Sequence, residues 1–272
     1  MENIEITRRE IMVSVIIFFV LLSLGFLISN FIIEKKIIEI EKYNKALKIN
    51  NDNDLFAYSV ETEVGDILAY GRFSIDSGVS FDELKDEYTY IRKETERYTK
   101  HSEEVCDTDS DGHRHCHTEY YYSWDNIDVE AKSVSNIKFM KTNYDYGLFS
   151  NYPVYTLDIA SNIVDNKKRN VNGVYLYEKN TFWTSEGDIR YIYYYTPKVF
   201  TGTIFAKATK KTIMNVNGSG TININLTDLE TTLKDKKNST TIINIVFWII
   251  WLIIIGLAIY GFVYMENDYL ED

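Results

Sequence analysis

Residues Ile11 to Ile33 read IMVSVIIFFVLLSLGFLISNFII, and residues Ile242 to Tyr264 read IINIVFWIIWLIIIGLAIYGFVY. Neither run holds an Asp, Glu, Lys or Arg. Each is about 23 residues long, and about 20 suffice to cross the roughly 30 Å hydrocarbon layer as a helix. Helix is the expected form because lipid offers backbone N–H and C=O groups no partner. Both runs are therefore expected to span a bilayer, with about 208 residues (34–241) together on one side. That length is enough to bury one substantial core without metal or disulfide scaffolding.

The first run passes straight into Glu34-Lys35-Lys36 without a small-residue cleavage site, so it reads as an uncleaved anchor and not as a signal peptide. Arg8 and Arg9 before it favour a cytoplasmic N-terminus. Lys35, Lys36, Lys42, Lys45 and Lys48, with Lys234, Lys236 and Lys237, pull the other way, and the tail after Tyr264 carries only acidic charges. Loops longer than about 60 residues translocate largely regardless of charge. The expectation is a multi-pass protein of the cell (plasma) membrane with both termini cytoplasmic, and the inverted topology is its alternative.

Charge bounds the partners. The formal net charge is −11, whereas a nucleic-acid surface needs clustered Lys and Arg to displace counterions. The lipid bilayer is the expected partner, joined by another protein or a second copy of the chain. Inside the spans the strongly polar side chains are Asn30 and Asn244, with Ser14, Ser23 and Ser29. Without intramembrane charge a transporter is not indicated. Gly25-xxx-Ser29 offers a close-approach face for another helix. Phe26, Asn30, Ile33, Ile37, Ile40, Asn44 and Leu47 follow 4-3-4-3-4-3 spacing, which reads either as a coiled-coil seam of a homo-oligomeric stalk or as a helix docking on its own domain.

The fold class that follows is an α+β membrane protein: two transmembrane helices flanking a single mainly-β extramembrane domain with a protruding β-hairpin. Its expected divisions are a tail 1–10, a span 11–33, a juxtamembrane helix 34–49, a β domain 50–226, a second juxtamembrane helix 227–241, a span 242–264 and a tail 265–272. Phe56, Tyr58, Val60, Thr62 and Val64 alternate with smaller or charged residues, which predicts a strand. Further strands are expected over 67–75, 154–159, 173–177, 189–195 and 199–206, all rich in Tyr, Ile, Val and Thr. Ser80-Phe81-Asp82-Glu83 and Thr227-Asp228-Leu229-Glu230 have capping-box spacing and predict two short helices.

All four histidines and both cysteines lie between His101 and His117. Ser110-Asp111-Gly112 suits a three-residue hairpin loop with glycine at positive φ. Folding about Asp111 sets Cys106 opposite Cys116, Tyr98 opposite Trp124, Asp107 opposite His115 and Asp109 opposite His113. The same register sets Glu103 against Glu119, which counts against it. In an oxidising compartment Cys106 and Cys116 are expected to form a disulfide, closing a short loop for about 3 kcal/mol. In a reducing one the thiols stay free as a metal or redox site.

On the opposite face His113, His115 and His117 gather with Val105, Asp107 and Asp109. Imidazole and carboxylate suit a divalent transition metal, so His113, His115, Asp107 and Asp109 are the candidate ligands. A solvated hairpin whose acids and histidines pair, and a pH-responsive surface, are the alternatives. Asp107-Thr108-Asp109-Ser110-Asp111-Gly112 begins like a calcium loop, but the twelfth position is Thr118 and not a bidentate Glu. Tyr98, Tyr120, Tyr122 and Trp124 are the candidate contact residues of the hairpin, since tyrosine and tryptophan present an apolar body with a polar tip, and packing in the sheet is the alternative for Tyr120 to Tyr122. For Tyr191, Tyr193, Tyr194 and Tyr195 a packing role in the sheet is expected.

No zincin, nucleophile-elbow, P-loop or dinucleotide motif occurs, so the protein reads as a non-enzyme. Tyr-Tyr-Ser-Trp-Asp at 121–125 and Phe-Thr-Gly-Thr-Ile-Phe at 200–205 resemble tracts in uncharacterised two-pass membrane proteins of bacteriophages and AT-rich bacteria. That resemblance implies an envelope or virus-related context and transfers no site. The expected function is a non-enzymatic membrane protein displaying a β-rich ectodomain for macromolecular interaction or sensing at the cell envelope, phage superinfection exclusion among the uses. Its alternative is a metal-binding or redox membrane protein built on hairpin 101–117.

Overall fold

The structure, a computed structural model, describes residues 7–108, 112–164, 170–179, 183–218 and 220–271, with the side chain of residue 170 and those beyond 266 left aside. In chain order its elements are α1 (Arg8–Lys45), β1 (Leu47–Asn50), α2 (Asn53–Glu61), β2 (Gly65–Ser74), β3 (Tyr90–Thr108), β4 (Arg114–Ser133), β5 (Asn136–Phe139), β6 (Thr142–Asp145), β7 (Phe149–Ser150), β8 (Tyr155–Thr156), α3 (Ile159–Asn162), β9 (Asn170–Asn172), β10 (Tyr175–Tyr177), β11 (Ile189–Thr196), β12 (Val199–Thr209), β13 (Thr212–Met214), β14 (Ile222–Asn225) and α4 (Leu229–Glu271). Two long apolar helices thus flank a mainly-β domain. Both are long and apolar enough to cross a membrane.

The helices run antiparallel against each other. Trp251 Nε1 donates to the Leu21 carbonyl at 2.9 Å, Ser29 Oγ to Asn244 Oδ1 at 3.1 Å, and Lys236 Nζ to Glu39 Oε1 at 3.3 Å, while Arg9 pairs with Glu266 at the far end. Gly25 and Ser29 are buried in this contact. The small-residue face read from the sequence therefore serves the chain's own second helix. Thr7 caps α1 in a capping box with Glu10, satisfying first-turn N–H groups.

Between the helices lie two sheets. The first has strand order β6-β5-β2-β12-β14-β7, with β1 added parallel to β2 and β13 antiparallel to β12. Its core collects Phe56, Phe73, Ile137, Phe139, Phe149, Ile204 and Ile222. A smaller cluster of Tyr43, Ala46, Leu68 and Leu229 seats the helix pair on this sheet, with Tyr43 stacked on Phe205 at 4.0 Å. The second sheet has order β4-β3-β11-β10-β9, with β8 beside β11. Phe81, Leu84, Tyr88, Ile91, Leu157, Leu176 and Tyr193 form its core.

Several expectations are corrected. Residues 56–64 do not make a strand: α2 occupies Asn53–Glu61, because Asp52 Oδ1 accepts from the N–H groups of Asp54 and Leu55, and Phe56, Ser59 and Val60 are buried at helical spacing. Ser80–Glu83 is no helix. There Ser80 Oγ donates to the Asp86 carbonyl and the Glu83 carboxylate is taken by Tyr193 and Lys93. Near α4 the cap is Asp228, which accepts from Thr231 N–H, and the expected separate helix is simply the first turns of one continuous α4. The first juxtamembrane helix ends at Lys45, since Leu47–Asn50 pair with Ile67–Tyr70, so Leu47 leaves the heptad stripe. Over 154–159 only Tyr155–Thr156 are strand.

Candidate functional site: a stapled β-ribbon

β3 and β4 are 19 and 20 residues long, far beyond the sheet that roots them. β11 pairs with β3 over Tyr90–Arg97 only. At Tyr98 the backbone is clamped by the neighbouring turn: Tyr98 N–H donates to the Asp188 carbonyl at 2.9 Å and Gly187 N–H to the Tyr98 carbonyl at 2.8 Å. Asp188 organises that turn, accepting from Ser185 N–H at 2.7 Å and from Lys179 at 3.1 Å. The Ser185 amide foremost, then Lys179, hold its carboxyl below the usual carboxylate range. Beyond this clamp β3 and β4 continue as a two-stranded ribbon, about 30 Å long at 3.4 Å per residue.

The register is the one expected from the sequence: Cys106 faces Cys116, Asp107 faces His115, Tyr98 faces Trp124, and Glu103 does face Glu119. Beside that like-charged pair His117 Nε2 lies 3.0 Å from Glu119 Oε1. Ile127 is an extra residue in β4, where the register shifts between Thr95 and Glu96. The Cys106 and Cys116 sulfurs lie at disulfide distance. A two-stranded ribbon without a core is marginal in water, so a covalent staple near its end, worth about 3 kcal/mol, compensates for missing burial.

Because partners across an antiparallel pair share a face, the ribbon sorts cleanly. One face carries the disulfide with Tyr98, Lys100, Tyr120, Tyr122 and Trp124. All four expected contact aromatics are thus on one side. Tyr98 stacks on Tyr122 at 5.3 Å and meets Trp124 at 5.2 Å, and Lys100 sits 4.0 Å over the Tyr120 ring. Tyr120 is 62 % exposed and Tyr122 45 %. The other face carries His101, Asp107, His115, His117, Glu119, Tyr121 and Asp125. There His101 Nε2 lies 2.7 Å from Asp125 Oδ2 and its ring stacks on Tyr121 at 5.2 Å. Ser123 foremost, then Thr99 and His101, hold the Asp125 carboxyl below its ordinary value.

Two groups at the root escaped the sequence reading. Arg190 lies between Trp124 at 4.2 Å and Tyr175 at 3.9 Å while its Nε reaches Glu96 at 2.5 Å. Tyr193, fully buried, donates to Glu83 Oε1 at 2.7 Å, and Lys93 completes the group at 3.4 Å. Burial pushes the Glu83 carboxyl up, but Tyr193 and Lys93 outweigh it and leave the group below its ordinary value. Of the tyrosines expected to serve the sheet, Tyr191 and Tyr195 also pack on this core, and Arg92 covers Tyr194 at 4.6 Å.

Asp109, with its pairing to His113 and the Ser110-Asp111 turn, lies outside the described residues. Of the other candidate metal ligands, Asp107 and His115 are cross-strand partners and His113 directly precedes β4. Among the described residues the donor group drawn within 4.8 Å is a different one, Glu104 with Cys106 and Cys116, and the bridge occupies both sulfurs. In comparisons with known proteins the chain matches no family model, no characterised protein and no solved structure.

Proposed function

We propose that this protein is a non-enzymatic two-pass membrane protein, both termini cytoplasmic, that displays its β domain at the cell envelope and presents the β3–β4 ribbon to another macromolecule. The observation that carries the reading is the disulfide face of that ribbon. Tyr98, Lys100, Tyr120, Tyr122 and Trp124 line one side of an arm that has no core of its own to fill, and rigid amphipathic aromatics are the side chains that dominate binding surfaces. The resemblance to phage and AT-rich bacterial membrane proteins adds superinfection exclusion as a fitting use.

A photo-crosslinking residue at position 120 or 122 should yield one discrete adduct in intact cells, and the same residue at position 103, on the other face, should not. No adduct from either aromatic position sinks the reading. So does external protease that spares the loop in intact cells and cuts it only after rupture.

A second reading treats the arm as a metal or redox site. Glu104 beside Cys106 and Cys116 favours it, because two-electron reduction of the disulfide by an external dithiol would leave two thiols beside a carboxylate, a set that once deprotonated suits zinc. Stoichiometric metal in the reduced protein, lost on Cys106→Ser, supports this rival. Its absence from the reduced protein dismisses it.

A further inference from the structure

Most of the 4-3 stripe on α1 lies beside the face that α4 covers and not under it; only its first member, Phe26, meets an α4 ring, that of Trp248 at 4.8 Å. Gly25, Ser29 and Tyr43 are buried, whereas Asn30, Ile37 and Asn44 are exposed. Phe26, Asn30, Ile33, Ile37, Ile40 and Asn44 each sit one residue from that buried line or its helical repeat, roughly a quarter turn round the helix. Nor does this stripe dock on the chain's own domain, which takes Tyr43 and Ala46 instead. It lines an open groove between the helices, bordered on the α4 side by Thr240, Thr241 and Asn244. Neither Asn30 nor Asn44 has a side-chain hydrogen-bond partner among the described residues.

Lipid does not account for the whole stripe. If Ile33 ends the hydrocarbon zone, the 1.5 Å rise per residue carries Ile40 about 10 Å and Asn44 about 16 Å further, past a headgroup layer some 5–8 Å deep. Two copies in one membrane share a topology, so their α1 helices are necessarily parallel. In the heptad that places Asn30, Ile37 and Asn44 at a and Phe26, Ile33 and Ile40 at d, Lys36 falls at g and Glu41 at e. In a parallel pair a g residue meets the e residue five positions on in its partner, and here both symmetric contacts are Lys–Glu. In the single chain these groups hold only surface pairs, Lys36 with Glu39 at 2.9 Å and Glu41 with Lys45 at 3.0 Å.

We infer that α1 pairs in parallel with α1 of a second copy along Phe26–Asn44, with Asn30 and Asn44 meeting their counterparts across the dyad and Lys36 facing Glu41 of the other copy. The contact is self-complementary, as a twofold interface must be. Buried asparagines at a select two strands in register at some cost in stability. Each α4 then flanks the seam, giving four helices at the base of two ectodomains. The inference rests on both helices spanning the membrane, and not on what the ribbon binds.

The test is disulfide trapping in membranes of the full chain, with Cys106 and Cys116 replaced by serine and one new cysteine at a time. Ile37→Cys and Asn44→Cys should trap dimer efficiently. Ile38→Cys and Lys42→Cys, exposed on the opposite side of α1, should trap at least fivefold less. Adding Lys36→Glu or Glu41→Lys to the Asn44→Cys chain should lower trapping several-fold, and the two together should restore it. Equal trapping at 37 and 38, no trapping at 37 and 44, adducts only to a different protein, or a double reversal no better than the singles would each overturn the inference.

Discussion

The indole of Trp251 lies directly on Gly25: a Cβ added at Gly25 would meet Trp251 Nε1 at 2.3 Å, while the same Nε1 donates to the Leu21 carbonyl at 2.9 Å. The α1–α4 contact is thus a knob of tryptophan set in a notch of glycine. Gly25→Leu should lose the hydrogen bond and cost about 1–3 kcal/mol by overpacking. The readout is thermal unfolding in detergent together with tryptophan emission. An unchanged melting temperature would mean that the helices are not held together at this point.

Replacing Cys106 and Cys116 by serine should loosen the ribbon and spare both sheets. Limited proteolysis is expected to cut within 99–123 much faster, with the global melting transition little moved, since the loop-closure gain of about 3 kcal/mol applies to the arm alone. A large drop in global stability would contradict the separation between arm and core.

Glu83 sets an acid limit. Its folded carboxyl is held below its ordinary value, so the stabilisation from its partners is complete above the unfolded pKa of about 4.3 and is lost as pH falls through the folded value. Lys93 is raised: burial lowers it, but Glu130 and Glu83 together outweigh that. Its contribution is therefore complete below about pH 10.4 and lost as pH rises through the folded value. Glu83→Gln should reduce urea resistance at pH 7 and flatten its fall between pH 5 and pH 3. A variant with the parent's slope would exclude Glu83 as the source.

Arg190 ties the root of the ribbon to the sheet through two rings and one carboxylate. Lysine keeps the charge but not the flat guanidinium that stacks and forks. Arg190→Lys should cost about 1 kcal/mol and speed amide exchange at Tyr98 and Trp124 while leaving Phe73 and Ile204 protected. Uniform protection across all four would show the clamp to be idle.

The ribbon was legible from sequence because its register depends on one turn: once the chain reverses near Asp111, every pair out to Tyr98 and Trp124 follows from counting. The segment 53–61 was not legible. Phe56, Tyr58, Val60, Thr62 and Val64 satisfy a period of two, and Phe56, Ser59 and Val60 equally satisfy a helical face. Asp52, just before them, is the cap that decides between the two. The Ser80–Glu83 spacing failed for a related reason, since a capping box needs a free glutamate and Tyr193, 110 residues away in sequence, had claimed this one.

Local sequence alone determined the two long apolar helices, the β character of the chain between them and the opposition of Cys106 to Cys116, because each depends on residues close together in sequence and on the solvent they require. Tertiary structure decided which stripe of α1 meets α4 and which stays open, where the ribbon leaves its sheet, and that Arg190, Glu96 and Trp124 share one root. Those are relations between segments far apart in the chain, and local propensity carries no information about which distant surface will bury a given side chain.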